Sequence, residues 1–439
     1  MRSYTVALYT LGCKVSLYET EAISERFEEE GFTVLPFDEV CDVYVINTCT
    51  VTAESDSKSR KYIRRAIRNN PNAVVIAVGC YTQRSPEEAS RIKGLSAVIG
   101  TQDKLSAVEV AKRLLRERSE SCFVSAPPLD GVGFEKMCVR SSKRTRGYVK
   151  IEDGCECKCT YCAISGARGP VRSKRPEDVI REVEGLAREG CAEVVLTGIE
   201  TGSYGIDFDE KYTLADLLSE LDRRRSCKRI RLGSMAPELV NRELVDTLSQ
   251  LEIFVPHIHL SVQSASDSVL RSMKRRYNGI MLRRNIEYAR EKIPGILFTA
   301  DLMVGFPGES EEDFSATLTF VKAVGLLDAH VFAYSRREGT PAAEYAGQIP
   351  EAVKRERSAR LIFEKNRVRE ALLNSLVEGG KPLSTVLESY DGEYWTGHSD
   401  SFVEVRVRSE ASLGGQLVSV IPESTSLGVV YGRIAENNN

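Results

Sequence analysis

Gly154-Cys155-Glu156-Cys157-Lys158-Cys159-Thr160-Tyr161-Cys162, entered from the strand-like run Tyr148-Val149-Lys150-Ile151, is the stretch on which the reading of this chain turns. Cys155, Cys159 and Cys162 stand in a C-x3-C-x2-C spacing. Three thiolates so placed can hold three irons of a cubane cluster and leave the fourth without a protein ligand, open to a substrate or cofactor. A zinc site, which usually asks for four protein ligands in a closed tetrahedron, and three ordinary reduced cysteines are the alternatives. Cys157 lies between two of the three in a register that fits no triad, and reads as a spare thiol.

Downstream of this loop, strand and helix patterns alternate about six times. Residues 148–151, 193–196, 229–232, 257–262, 297–304 and 329–334 read as strands, with amphipathic stretches such as 176–188 and 266–290 between them. This predicts a partial (β/α) barrel whose working groups lie on the loops after the strands, and the cysteine loop follows the first of them. Other strand ends carry Thr197-Gly198-Ile199-Glu200, Gly233-Ser234-Met235, Gln263-Ser264 and Gly305-Phe306-Pro307-Gly308-Glu309. Glycine there lets a backbone approach a ligand, and Ser, Gln and Glu can orient a ribose or an amino-acid head group. Gly198, Glu200, Ser234, Gln263 and Gly305 are therefore candidate cofactor contacts, although a glycine at such a turn also serves as steric punctuation.

Upstream, strands at 4–10, 42–47 and 73–78 are followed by helices at 19–30, 54–68 and 85–93, the pattern of a parallel sheet covered by helices. Cys13, Cys49 and Cys80 each fall just beyond one of these strands. Ligands in open α/β sheets sit outside the carboxyl ends of strands, so these distant residues are expected to meet as a second metal site. Buried structural cysteines are the plainer alternative. A Pro/Gly-rich stretch at 126–131 closes this part, and a basic helix at 354–369 leads to short strands at 385–388, 402–407, 417–421 and 429–434 that read as a small β-barrel. In that barrel Lys381, Arg406, Arg408 and Arg433 are outnumbered by carboxylates including Glu388, Asp391, Glu393, Glu404, Glu423 and Glu436. The fold class expected is α/β, with an N-terminal parallel α/β domain at 1–125, a partial barrel at 140–370 and a C-terminal β-barrel at 375–435.

The chain has 439 residues, 42% of them hydrophobic, and a formal net charge of -3. No apolar run approaches membrane-spanning length, and the opening Met1-Arg2-Ser3-Tyr4 is polar, so no membrane association and a cytoplasmic location are expected. In that compartment twelve cysteines read better as metal ligands than as disulfides. Lys58, Arg60, Lys61, Arg64, Arg65 and Arg68 crowd one helix, and Arg140, Lys143, Arg144, Arg146 and Lys150 lead into the cysteine loop. Either run could hold a polyanion or could be a solvated face.

A cluster with one open iron can chelate S-adenosylmethionine, and its reduced form can pass an electron to the sulfonium to release a 5′-deoxyadenosyl radical. Tyr161 is placed to pack beside the adenine or to serve as a lid over the cluster. The C-x3-C-x2-C loop resembles that of radical S-adenosylmethionine enzymes, and with Cys13, Cys49 and Cys80 upstream nearly the whole chain resembles a methylthiotransferase. The resemblance implies two [4Fe-4S] clusters: a radical cluster on Cys155, Cys159 and Cys162, and an auxiliary cluster on Cys13, Cys49 and Cys80. It also implies a C-terminal barrel of the TRAM type, a reducing electron donor and a sulfur source.

Leu11-Gly12-Cys13-Lys14-Val15, Tyr18-Glu19-Thr20-Glu21, Asn47-Thr48-Cys49-Thr50-Val51-Thr52 and Tyr334-Ser335-Arg336-Arg337-Glu338-Gly339-Thr340-Pro341 resemble the branch that modifies threonylcarbamoyladenosine in tRNA. Sister branches act on isopentenyladenosine in tRNA or on an aspartate of a ribosomal protein. Ser16 and Leu17 stand where the first branch usually has Asn and Gln. The implied reaction uses two molecules of S-adenosylmethionine, one as methyl donor to sulfur and one as radical source, to place a methylthio group on C2 of an adenine splayed out of its stack.

Overall fold

The structure is a computed structural model of the chain, in which residues 3–117, 119, 121–141 and 144–435 are described. Met1, Arg2, Lys143 and Glu436, all noted in the sequence, lie outside the described residues. The chain divides into two compact units. The first consists of Met1–Val139, Lys150–Lys174 and Ser335–Ala343; the second of Arg140–Val149, Arg175–Tyr334 and Glu344–Asn439. The cysteine loop at 154–162 thus belongs to the same unit as Cys13, Cys49 and Cys80.

In the first unit the chain runs β1 (Thr5–Thr10), α1 (Lys14–Glu29), β2 (Thr33–Leu35), β3 (Val43–Thr48), α2 (Ala53–Asn69), β4 (Val74–Gly79), α3 (Cys80–Arg84), α4 (Pro86–Ser90), β5 (Ala97–Ile99), α5 (Ala107–Arg116) and β6 (Phe123–Ser125). The sheet is six-stranded, in the order β2-β1-β3-β4-β5-β6, and every pairing is parallel. β3 and β4 are buried at every position, as central parallel strands covered on both faces must be. The three longer strands lie where the apolar runs place them. The helix expected at 85–93 is the shorter α4, and α3, which the pattern did not mark, precedes it; the two are kept apart at Ser85 because the residue before Pro86 is pushed out of helical geometry. The three-residue strands β2, β5 and β6 are too short to leave a pattern in the sequence.

The rest of the chain adds β7 (Arg146–Lys150), β8 (Glu152–Asp153), α6 (Ile164–Arg168), β9 (Arg172–Ser173), α7 (Pro176–Arg188), β10 (Glu193–Thr197), α8 (Leu214–Arg223), β11 (Ile230–Leu232), β12 (Ser234–Met235), α9 (Arg242–Leu248) and β13 (His257–Gln263). After these come α10 (Asp267–Ser272), α11 (Gly279–Lys292), β14 (Leu297–Val304), α12 (Glu311–Val324), β15 (Asp328–Ala333) and α13 (Glu351–Gly379). β8 and β9 pair antiparallel and pinch the base of the cysteine loop. Gly154 has φ +93° there, and a Cβ would stand 1.9 Å from the Pro170 carbonyl oxygen, so no other residue fits.

The six expected barrel strands are present, in two sheets ordered β11-β10-β7 and β12-β13-β14-β15, with Gly233 between β11 and β12. The stretch at 266–290 forms two helices, α10 and α11, and the Asn278 side chain caps the second by accepting from the Met281 N–H. The chain ends in β16 (Leu383–Tyr390), β17 (Trp395–Ser399), β18 (Glu404–Val407), β19 (Leu417–Ser426) and β20 (Val429–Ile434), a closed barrel in the order β16-β17-β18-β20-β19. β17 escapes the sequence reading because Thr396, Gly397, His398 and Ser399 leave Trp395 as its one apolar residue.

Buried charge fastens this barrel to the strands of its own unit. Arg231, 1% exposed, donates to both Glu193 carboxylate oxygens at 2.7 and 2.9 Å and to the carbonyls of Asp400 and Ser399 at 3.0 and 3.1 Å. The Phe402 ring stacks on His257 and His398 with centroids 4.6 and 4.9 Å away. Removing one partner of such a pair strands the other in low dielectric. Arg231→Met should therefore cost about 3–5 kcal/mol in urea denaturation.

Candidate metal centres

The carboxyl edge of the first sheet gathers the first triad. Cys13 is the N-cap residue of α1, Cys49 follows β3 directly, and Cys80 follows β4 and opens α3. β1, β3 and β4 are adjacent and parallel, so all three cysteines come to one edge. A Cβ on Gly12 would lie 3.3 Å from the Cys49 sulfur, and Cys80 is close enough to Cys13 and Cys49 for each to raise its pKa. Burial pushes the Cys80 thiol up to about 11, and Arg168 opposes that rise. Burial likewise raises Cys49. Loading a metal here must displace protons that the buried sulfurs otherwise keep. Ser16, at the position of departure from the related branch, is buried with its hydroxyl 3.9 Å from the Cys13 sulfur.

The second triad sits on the pinched loop. The Cys155 N–H donates to the Gly169 carbonyl at 3.0 Å and the Cys162 N–H to the Cys159 carbonyl at 3.0 Å, while the Ile164 N–H points at the Cys162 sulfur at 3.3 Å. Cys159 is buried, and Cys155, Cys162 and Tyr161 are partly exposed. The Cys157 N–H lies 3.5 Å from the Cys155 sulfur. Among the described residues no three His, Cys, Asp or Glu side chains converge to hold a single metal ion. A cubane spreads its irons over separate corners, so its thiolates need not converge on one point.

Behind both triads lies a buried charge network that the sequence reading did not single out. Arg168 is fully buried; it donates to Glu19 at 2.5 and 3.2 Å, to Asp153 at 3.1 and 3.3 Å, and through Nε to the Cys80 sulfur at 3.1 Å. Lys104 and Lys150, also fully buried, donate to Glu19 at 2.8 and 3.1 Å, and Lys150 to Asp153 at 3.1 Å. Burial works to raise the Glu19 carboxyl, but Arg168, Lys104 and Lys150 outweigh it and hold it well below the usual range. Asp153 is depressed in the same way, burial being outweighed chiefly by Arg168 and Lys150. Lys150, read as part of a basic run that could hold a polyanion or be a solvated face, is neither: it is an internal ion-pair partner. Burial opposes its charge, yet Asp153 and Glu19 raise its pKa.

The segment 335–343 joins this unit. Arg337 donates to the Thr50 hydroxyl at 2.8 Å and to Asp56 at 2.7 Å, beside Cys49 in sequence, and the Ala342 N–H donates to the Thr160 carbonyl at 2.9 Å, inside the second cysteine loop. One short segment therefore contacts both cysteine-bearing loops.

In the second unit Gly198, Ser234, Gln263 and Gly305 lie at the carboxyl ends of β10, β11, β13 and β14, on one rim. Glu200 is buried, and its carboxylate accepts from the Ala236 N–H at 2.9 Å. Gln263 sits at a register shift with φ +63°, and its side-chain oxygen is buried without a protein partner. An orphaned buried acceptor at a strand end suits a ligand that brings its own donor. At Gly305 a Cβ would lie 2.4 Å from the Lys354 side chain, so packing of α13 also demands glycine there.

Surface charge sorts by partner. On α2, Lys58, Arg60 and Arg65 pair with Glu54, Glu88 and Asp38. Among the described residues Lys61, Arg64 and Arg68, exposed and spaced along one helix face, have no carboxylate partner. Arg146 pairs with Glu388, and in the C-terminal barrel Arg406, Arg408 and Arg433 pair with Asp391, Glu393 and Glu423.

Residues 149–321 match the Radical SAM superfamily and residues 5–100 the uncharacterized protein family UPF0004. The chain is 40% identical over 429 residues to the threonylcarbamoyladenosine tRNA methylthiotransferase MtaB of Bacillus subtilis (strain 168), covering 95% of this chain and 93% of that one. The chain belongs to the radical S-adenosylmethionine methylthiotransferase family. It is 34% identical over 405 residues to the ribosomal protein uS12 methylthiotransferase RimO of Desulforudis audaxviator (strain MP104C), covering 90% of this chain and 88% of the other. The radical S-adenosylmethionine methyltransferase TsrM of Kitasatospora setae shares the fold, with a TM-score of 0.58 at 20% identity over 78% of this chain and 77% of that one.

In this methylthiotransferase Glu19 answers three buried cations. Glu19→Gln should cost about 3–5 kcal/mol. Because the folded carboxyl is depressed, its stabilisation is complete above the unfolded pKa and fades as pH falls below about 4. Acid titration of stability should be shallower in the variant than in the parent chain over that interval.

Proposed function

We propose that the chain converts N6-threonylcarbamoyladenosine, next to the anticodon of tRNA, to its 2-methylthio derivative, using two [4Fe-4S] clusters and S-adenosylmethionine. The observation that carries the chemistry is that both cysteine triads belong to one folded unit and share the Arg168 network. Greater likeness to the threonylcarbamoyladenosine enzyme, 40% against 34%, favours that substrate over a ribosomal protein. When bound, the clusters and S-adenosylmethionine supply the radical, the sulfur site and the methyl group.

Cys155, Cys159 and Cys162 would hold the radical cluster, and Cys13, Cys49 and Cys80 the auxiliary one. Glu200 and Gln263 orient the polar groups of S-adenosylmethionine at the rim, Gly198, Ser234 and Gly305 line it, and Tyr161 covers the adenine. Lys61, Arg64 and Arg68 take tRNA phosphates, which position the RNA without reading its sequence. Functional regions at 1–125, 140–370 and 375–435 correspond to auxiliary-cluster, radical and TRAM-like domains. A reducing electron donor and a sulfur source complete the reaction. Among the described residues no helix is long and apolar enough to cross a membrane, and a tRNA substrate implies work in the cytoplasm.

Nucleoside mass spectrometry of tRNA from cells with and without the gene should show loss of the 2-methylthio nucleoside and accumulation of its unthiolated precursor. Loss of 2-methylthio-isopentenyladenosine instead, or an unchanged tRNA profile with an altered ribosomal protein, would reassign the substrate. Cys159→Ala should abolish reductive cleavage of S-adenosylmethionine. Replacing Lys61, Arg64 and Arg68 by Glu should weaken tRNA binding and flatten its dependence on log salt by about 2–3, close to one for each phosphate no longer neutralised.

A further inference from the structure

The three sulfurs of the first triad have unequal surroundings. Cys13 is exposed; Cys49 is buried and takes neutral donors, the Val51 backbone and the Ser55 hydroxyl. Cys80 is buried and receives an N–H from a charged guanidinium, Arg168 Nε, at 3.1 Å. The contacts around that guanidinium set three cations, Lys104, Lys150 and Arg168, against two carboxylates, Glu19 and Asp153. Arg172, 3.6 Å from Asp153, and the neighbouring Glu135, which accepts from the Leu105 N–H at 3.4 Å, add one charge of each sign.

Hydrogen bonds to ligand sulfurs and nearby buried charge are the means by which a protein sets a cluster's potential. We propose that Arg168 is a positioning residue for the auxiliary cluster: it holds Cys80 as the inner ligand, and its N–H···S bond raises that cluster's reduction potential. The inference rests on the reading of Cys13, Cys49 and Cys80 as cluster ligands. Arg168 also grips Asp153, next to Gly154 and Cys155, so the side chain that tunes one cysteine site anchors the base of the other.

The test uses the full-length chain with Cys155, Cys159 and Cys162 all replaced by Ala, loaded anaerobically with iron and sulfide so that only the auxiliary cluster is present. In redox titrations followed by EPR, Arg168→Met should shift the midpoint downward at unchanged iron content. Arg168→Lys should fall between the two, because an ammonium keeps the charge but lacks the planar fork that serves two carboxylates and a sulfur together. Equal midpoints in all three chains would overturn the proposal. Should the variants not fold, the same chain with Arg168 intact and grown with 15N-arginine should show nitrogen hyperfine coupling to the reduced cluster in pulsed EPR, and its absence would overturn the proposal as well. Cys80→Ala separates the two readings. A cluster that survives this change refutes the ligand assignment and the proposal with it, whereas a cluster that needs Cys80 yet ignores residue 168 refutes the role of Arg168 alone.

Discussion

Five fully or almost fully buried charges, Glu19, Lys104, Lys150, Asp153 and Arg168, are the constraint on which the first unit depends. An isolated charge at such depth is prohibitively costly, so each of these groups is tolerable only while the others hold their places. Their elements are thereby locked together: α1 through Glu19, the turn before α5 through Lys104, the end of β7 through Lys150, β8 through Asp153 and α6 through Arg168. Cysteines flank this lock in sequence. Cys13 caps the helix that carries Glu19, Cys155 follows Asp153 by two residues, and Cys162 precedes α6. The geometry of the two cysteine-bearing loops is therefore set by an electrostatic arrangement whose one bond to a triad sulfur runs from Arg168 to Cys80.

Arginine does this work better than lysine could. A planar guanidinium can address two carboxylates and a sulfur in different directions at once, as Arg168 does, and can join a carboxylate to two carbonyls, as Arg231 does in the second unit. The same chemistry on α2, in water, has the opposite use. There Lys61, Arg64 and Arg68 gain little from weak surface pairing and stay available to a polyanion, while the cations of the C-terminal barrel are largely matched by carboxylates. Phosphate recognition by that acidic barrel through charge alone is thus disfavoured, and shape and local groups are left as its means of contact.

Most of the architecture was legible in the sequence. Apolar runs with period two and stretches with period 3.6 marked the long strands of both units and helices such as α7 at their true places, since these patterns follow from local geometry. The failures are as local as the successes. The short α3 before Pro86 left no pattern of its own, positive φ at Lys274 accompanied the break between α10 and α11, and Gly397 hid β17. Among candidate site residues, the cysteines were legible because thiols in a reduced chain have few other reasons to cluster. Gln263 and Glu200 were visible as polar residues at strand ends. Gly305 was visible too, but its sequence could not reveal the Lys354 side chain packed over it.

The sequence by itself determined the family, the α/β order and the two cysteine triads, because ligand spacing within a loop and cysteines just beyond strands are properties of neighbouring residues. Only the tertiary structure decided that Lys150 is an internal counter-ion, that Ser335–Ala343 joins the cysteine-bearing unit, and that Arg168 bonds to Cys80. The partners that decide these contacts are far apart in sequence: 131 residues for Lys150 with Glu19, 88 for Arg168 with Cys80 and 287 for Arg337 with Thr50. A buried charge has no period and no local signature; its meaning comes from the opposite charge that folding brings to it.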